Sequence, residues 1–447
     1  MNEQDAKGAA TPKTETSENA RGGESLDDRS DDKKPGSASS PSSLGSWLSC
    51  EQPRLGAIGT LVLLVFASIL TPLALDMYTP AIPHMVGFLN TTADLVNLTL
   101  VGFFAFNAIG LLLFGTVSDK YGRKPVLVCG AIAYTVGSAC CAVAPTIELL
   151  IAMRIIQALG AGAVGAIGTA VVKDAFKPSY REKVLSVVQV MFVVGPVFAP
   201  VIGATLLQFT DWRGIFATLA VIGLLILIMS LMFHESLPAR ERTHDDVLPT
   251  IGHLTWVLKS KPFVMFLLTV AMFNIPFMGY IAVGSYIYID AFGLSELGYS
   301  AFFAVGAVAG SVGPFIWLFA QKFMNARQFT TLILAVCLVA GVSLMLFGDI
   351  SEYSFCVLFV LFILAESCAR PYSTNILLNQ HDGETGAASS VINFTHTIFG
   401  CVGMLCAVFP WPSYMFGVGA LVTISIAISI CIWFYALKNV KIRGINA

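Results

Sequence analysis

A succession of long uncharged apolar runs constrains this chain more than any other feature. A helix needs about 20 largely apolar residues, at 1.5 Å each, to cross a hydrocarbon layer roughly 30 Å thick. Twelve segments meet that requirement. Six lie at roughly 57–82, 94–117, 125–145, 147–172, 183–208 and 214–234, and six more at roughly 262–289, 298–320, 328–348, 353–378, 386–409 and 413–437. Composition agrees: 56% of the residues are hydrophobic and 12% charged, where a soluble domain carries about 25% charged residues. The expected fold is all-α integral membrane, with twelve transmembrane helices in two six-helix bundles and the lipid bilayer as solvent.

Polar stretches divide the chain. Residues 1–50 hold six Lys/Arg and nine Asp/Glu with almost no large apolar side chain, a composition that cannot bury enough surface to order itself, so a disordered cytoplasmic tail is expected there. The N-terminus also lacks the short hydrophobic core and cleavage site of a signal peptide. Residues 235–261, with Pro238, Arg240, Glu241, Arg242, Asp245 and Asp246, read as a cytoplasmic linker between an N-terminal bundle (51–234) and a C-terminal bundle with a short tail (262–447). Lys and Arg near span ends are retained on the cytoplasmic side. Seventeen lie at one set of span ends, Arg213 alone at the other, and Arg154 and Arg370 inside spans. Both termini are therefore expected in the cytoplasm. A net charge of −2 gives no basic surface for nucleic acid. Nine of the ten cysteines sit in apolar segments without metal-site or disulfide spacing, so no metal or cofactor is expected.

Two bundles of six with a linker suggest a duplicated transporter, whose substrate site lies near the midplane between halves that rock against each other. Receptors and membrane enzymes also have many spans, so motifs must decide. Between spans two and three the chain reads Gly115-Thr-Val-Ser-Asp119-Lys-Tyr-Gly122-Arg123-Lys124-Pro125. A positive-inside loop needs only bases, whereas Asp119 can cap or face a helix N-terminus, where a carboxylate is worth about 0.3–1 kcal/mol. Gly115 and Gly122 permit close backbone approach. Span four contains Arg154-Ile-Ile-Gln157-Ala-Leu-Gly160-Ala-Gly162, which puts Arg154 roughly 11 Å inside the membrane boundary. A charge there costs about 2.5–3.5 kcal/mol on insertion scales and calls for a partner in the protein interior. Span five holds Gly195-Pro196-Val-Phe-Ala-Pro200-Val-Ile-Gly203, and span eight has a similar run from Gly306 to Pro314. Small residues at this spacing let helices pack closely, and proline bends them. Span one ends Asp76-Met77-Tyr78-Thr79-Pro80-Ala81-Ile82-Pro83, and Asp211-Trp212-Arg213-Gly-Ile-Phe216 precedes span six.

These strings, in this order, resemble motifs A, B and C of the major facilitator superfamily, and the span-one string resembles the Bcr/CflA branch of drug:proton antiporters. The resemblance covers the N-terminal half; the second copy of motif A, Ala320 to Arg327, lacks the acid and the second glycine. It implies the major facilitator fold, proton coupling through Arg154, export through the antiporter motif (Gly195, Pro196, Pro200, Gly203), and a cytoplasmic gate at Gly115, Asp119, Gly122, Arg123 and Lys124. In that gate Asp119 faces the start of span eleven at Gly386 when the cavity opens outward.

Proton-driven export needs a group that changes protonation as the protein alternates, and a carboxylate in a low-dielectric cavity suits that task. Asp76 and Glu366 are the main intramembrane acids. Asp76 lies at a depth similar to that of Arg154, so the two are expected to form a proton-sensitive pair, with capping near the Pro72 and Pro80 kinks as the alternative. Glu366 and Arg370 stand i,i+4 on one helix face. Either they neutralise each other, or Glu366 lines the cavity for a proton or cationic substrate while Arg370 lies nearer the cytoplasmic gate. Tyr78, Asn107, Gln157, Gln189, Asn274 and Asn375 complete the candidate cavity set. The expectation is a secondary active transporter in the cell (inner) membrane, acting as a monomer. It would be a proton-coupled antiporter exporting small amphipathic compounds; a narrow-substrate exporter, a symporter, or a non-transporting receptor or enzyme are the alternatives.

Overall fold

Hydrocarbon offers no hydrogen-bond partners, so a backbone crossing it must satisfy its own N–H and C=O groups, and a helix does so within one segment. The computed structural model describes residues 52–176, 178–242, 257–380 and 385–445, without the side chains of 178–179, 192–193, 241 and 385–387. The expectation for residues 1–50 lies outside the described residues, as does 243–256 of the polar stretch. Twelve helices among the described residues are long and apolar enough to span a membrane. They are α1 (Gly56–Phe88), α2 (Ala93–Tyr121), α3 (Arg123–Ala142), α4 (Ile147–Ala175), α5 (Tyr180–Leu207), α6 (Trp212–Met232), α7 (Lys261–Ala291), α8 (Glu296–Ala320), α9 (Ala326–Phe347), α10 (Glu352–Leu378), α11 (Ala388–Ala407) and α12 (Tyr414–Asn439).

The first helix of each set of six is broken, and proline explains where. A proline ring clashes with the carbonyl four residues earlier and brings no N–H of its own. Pro80 thus ends the regular helix of α1 at Asp76; a short 3-10 turn at Thr79–Ala81 follows before helix resumes at Ile82–Phe88. The freed Asp76 carbonyl accepts a 2.8 Å hydrogen bond from Thr79 Oγ1. Pro276 acts alike in α7, where helix stops at Ala271 and restarts at Asn274. A π-helical turn, Tyr286–Ala291, closes that span.

Packing repeats with the same period. Helices α2 and α3 flank α4, α3 also packs on α6, and α1 on α5; the same pairings recur as α8 and α9 on α10, α9 on α12, and α7 on α11. The halves meet along α2 with α11 and α5 with α8. Glycines set the closest approaches. A Cβ at Gly162 of α4 would meet Gly110 Cα of α2 at 2.8 Å, and one at Gly160 would collide with the Tyr134 amide of α3. In α5, a Cβ at Gly195 would stand 2.9 Å from Pro72 Cβ, and one at Gly203 would run into the Met77 carbonyl. The α5 glycines therefore seat α5 on the broken part of α1.

Contacts between the halves gather near the charge-poor loops, the end whose single basic residue is Arg213. There Tyr299 Oη donates to Thr79 Oγ1 at 3.2 Å, Ser300 Oγ to the Pro200 carbonyl at 2.9 Å, and Asn97 Nδ2 to the Met404 carbonyl at 2.6 Å. His84 Nε2 lies 2.9 Å from Glu296 Oε1 on the rim. Around them Tyr78, Thr79, Ala81, Ile82 and Met85 are fully buried. The halves are thus closed at the charge-poor end.

Gly203→Ala should destabilise the fold by about 1–3 kcal/mol, the usual cost of overpacking, because the added methyl meets rigid backbone. Gly115→Ala should not, since nothing lies within 4 Å of its Cβ position. Thermal unfolding of the two variants in detergent checks the difference.

Candidate functional site

Arg154 sits two turns into α4 and is 0% exposed. Its Nη1 donates to the Ala74 carbonyl of α1 at 2.9 Å and to Gln157 Oε1 at 2.8 Å, and Gln157 Nε2 passes the chain on to Ser138 Oγ of α3 at 2.8 Å. Three rings surround the guanidinium: Phe103 at 4.3 Å, Tyr78 at 4.9 Å and Phe216 at 5.5 Å to the centroid. A desolvated cation over aromatic faces gains about 2 kcal/mol or more. Tyr78 is itself held by a hydrogen bond to Thr99 Oγ1 of α2. Asp211 caps α6 by accepting from the Arg213 amide at 3.0 Å, and α6 in turn carries Phe216 to Arg154, with Trp212 edge-on against it. Nε and Nη2 of Arg154 have no partner among the described residues.

The expected Asp76–Arg154 ion pair is absent among the described residues; Arg154 takes the Ala74 carbonyl instead. Regular helix ends at Asp76, and the ring on the arginine belongs to Tyr78 in the turn beyond it. Asp76 instead stands i,i+4 from Pro72. It shares the α1 face of Pro72, which packs on Gly195 of α5. Asp76 is 3% exposed and its Oδ1 has no hydrogen-bond partner. The carboxylate therefore lies by the seam between the halves, next to the Thr79–Tyr299 contact.

A second polar cluster lies in the C-terminal half. Arg370 Nε donates to Glu366 Oε1 at 2.6 Å and Nη2 to Asn274 Oδ1 of α7 at 3.3 Å, while Asn274 Nδ2 donates to the His396 carbonyl of α11 at 2.7 Å. The two pair members differ in access: the Glu366 side chain is 6% exposed and that of Arg370 54%. Other candidates scatter. Asn107 is buried, donating to Thr71 Oγ1 at 3.2 Å and weakly to the Ala158 carbonyl, and so ties α2 to α1 and α4. Gln189 is exposed. Asn375 does not join Asn274: five residues beyond Arg370 it has turned to another face, where it lines a cavity of about 500 Å³ with Trp317, Gln321 and Arg443.

At the charge-rich end Arg123 pairs with Asp119 at 2.6 Å and with Asp174 of α4 at 2.9 Å, and donates to Ser118 Oγ at 2.6 Å. The helix N-terminus at Arg123 is capped, but not by Asp119. Glu235, just past α6, accepts from the amides of Arg123 at 2.9 Å and Lys124 at 3.2 Å, while Lys124 Nζ reaches the Leu231 carbonyl at 2.9 Å. Gly122 is required twice over. Its φ is +99°, and a Cβ there would collide with the Glu235 carboxylate. Gly115 makes no close approach, contrary to expectation. The side chains at the start of span eleven, through residue 387, lie outside the described residues.

The family model for the Major Facilitator Superfamily matches residues 64–404. The chain belongs to that superfamily. Among the superfamily's curated proteins it is 34% identical over 258 residues to an uncharacterized MFS-type transporter, YdgK, of Bacillus subtilis, covering 57% of this chain and 64% of that one. It is 30% identical over 278 residues to a chloramphenicol resistance protein of Pseudomonas aeruginosa (61% and 62%). With the multidrug resistance protein MdtL of Escherichia coli it shares 33% identity over 178 residues (40% and 46%). The matched stretches thus span less than two thirds of each relative. Among solved structures, the fold is similar to a D-xylose-proton symporter, with a TM-score of 0.64 and 14% identity over 86% of this chain and 98% of that one. A POT family transporter gives 0.67 and 15% over 87% and 99%.

Several residues that organise this superfamily member were not singled out from sequence. Phe103 looks like any apolar residue in a span, Phe216 stands out only as the end of the string at span six, and only the helix arrangement turns them onto Arg154. Glu235 sits at the start of a polar stretch, yet a sequence signal existed: α3 begins with two bases and no acid of its own. Glu235→Ala should cost about 1–2 kcal/mol by removing a partly buried cap. Asp119→Asn, which touches a 45% exposed carboxylate, should cost under about 1 kcal/mol. Thermal unfolding of both variants in detergent would reverse that order if Asp119 were the cap.

Proposed function

We propose that this chain is a proton-coupled antiporter that exports small amphipathic compounds across a cell (inner) membrane by alternating access. It works as a monomer with both termini in the cytoplasm. The charge-poor end is then external, and the described arrangement is closed outside. The observation that carries the reading is Asp76: a buried carboxyl group whose Oδ1 has no partner among the described residues, by the seam that must open and close. Burying an ionised carboxylate alone is expensive, whereas a protonated one is tolerated, so a proton on Asp76 favours closure of the external end. Loss of that proton favours reopening, which hydrates the group. Such differential interaction with two arrangements is what a coupling ion must supply.

Arg154 has a separate part. Its cage ties α1, α3, α4 and α6 together and sets the position of the α1 break, so Asp76 moves with a rigid N-terminal half. Motif A serves as the cytoplasmic latch: Asp119, half exposed and paired with Arg123 among the described residues, engages the start of α11 when that side closes. Drug export is supported by the relatives named for chloramphenicol and multidrug resistance, and by the resemblance of the α1 string to the Bcr/CflA branch.

In inside-out vesicles with an acidified lumen, addition of a transported compound should release protons from the lumen, read with a pH-sensitive dye. Asp76→Asn should abolish that release while the protein remains in the membrane. Full proton-coupled transport by the variant would remove Asp76 from the mechanism.

A further inference from the structure

The Glu366–Arg370 pair says which chemistry α10 presents beside the seam between the halves. It lies on the charge-rich side of their contact through α11. A Cβ at Gly400 of α11 would meet both Met278 Cγ of α7 and Phe104 Cε1 of α2 at 2.9 Å, which marks where the halves touch. Asn274 precedes Met278 by four residues on the same face of α7, one turn toward the charge-rich end, and Arg370 is fastened to it. The carboxylate of the pair is behind and the guanidinium in front, 6% against 54% exposed. Two contacts fix the guanidinium plane: Nε on Glu366 and Nη2 on Asn274, itself oriented by the α11 backbone. Nη1 donates to no described residue. Phe277 lies beside it, 5.6 Å from the guanidinium carbon to the ring centroid.

We propose that Arg370 is a specificity-determining residue: it receives a hydrogen-bond acceptor (an amide or ketone carbonyl, a nitro group or a carboxylate) carried on a flat apolar body that packs on Phe277. This rests on the antiporter reading above and narrows it. The preferred substrates are neutral, zwitterionic or anionic amphiphiles, and cations without acceptors are poor ones. Glu366 does not select cations, because its exposed partner neutralises it and blocks the approach. A planar guanidinium held by two partners has lost its freedom before the ligand arrives, so less is lost on binding.

Binding to the purified full-length protein in nanodiscs, without a proton gradient, tests this. N-benzyl-4-nitrobenzamide serves as the neutral acceptor-bearing probe and benzyltrimethylammonium as the cation. Wild type should bind the amide at least about tenfold more tightly than the cation, the scale of one hydrogen bond to a charged group. Arg370→Gln should lose about tenfold for the amide and gain affinity for the cation as Glu366 is released. Glu366→Gln/Arg370→Gln, which leaves no unpaired buried charge, should lose amide binding without gaining cation binding. Equal binding of the two probes by wild type, binding of neither, or an unchanged preference in both variants would overturn the proposal. Asp76→Asn should keep the wild-type preference, so selective binding without proton-coupled transport would count against the antiporter reading alone.

Discussion

A guanidinium that never meets water has to be satisfied by protein, and much of the N-terminal half is arranged to satisfy Arg154. One carbonyl of α1, one amide of α4 and three rings from α1, α2 and α6 share the task. Each holds only if its helix stands at a fixed height and rotation. The Ala74 carbonyl is positioned by the helix that Pro80 terminates two residues later, and Phe216 by the Asp211 cap on α6. Glycines at 110, 160 and 162 let α2 and α3 close on α4 so that the rings reach the charge. Removing any of these partners leaves a buried charge less compensated, so the cost falls on the whole half rather than on one contact.

The consequence for function is separation. Arg154 takes its Nη1 and ring partners from the N-terminal half, and Asp76 is left beside the seam with no counter-ion among the described residues. A carboxylate paired with Arg154 would be stable in both arrangements and would sense neither. An unpaired one at the moving boundary is sensitive to whether that boundary is closed. The second intramembrane acid is handled in the opposite way: Glu366 is paired with Arg370 four residues on and buried behind it. The two acids therefore differ by partner, not by depth.

Depth was legible in the sequence and rotation was not. Apolar length fixed the number of helices, and spacing of 1.5 Å per residue put Asp76, Arg154 and Glu366 inside the membrane. Pro80 announced the break in α1, though Pro72 lies inside continuous helix, and the glycine runs announced close packing. Which way a side chain faces depends on neighbouring helices far away in sequence, so Asp76 and Arg154, equal in depth, were wrongly expected to meet. Asn375 and Asn274, both within spans, stand on different faces for the same reason. Glu235 went unnoticed because capping between α6 and α3 joins residues 112 positions apart.

The central claim is that proton binding at Asp76 holds the charge-poor end closed. Spin labels at Phe88 and Leu297, exposed positions near that end of α1 and α8, would report the distance across the seam by pulsed electron resonance in nanodiscs at acid and alkaline pH. The account predicts a short distance at acid pH, a growing long-distance population at alkaline pH, and a short distance at both in Asp76→Asn, whose side chain cannot ionise. The same pH response in that variant as in the wild type would contradict it.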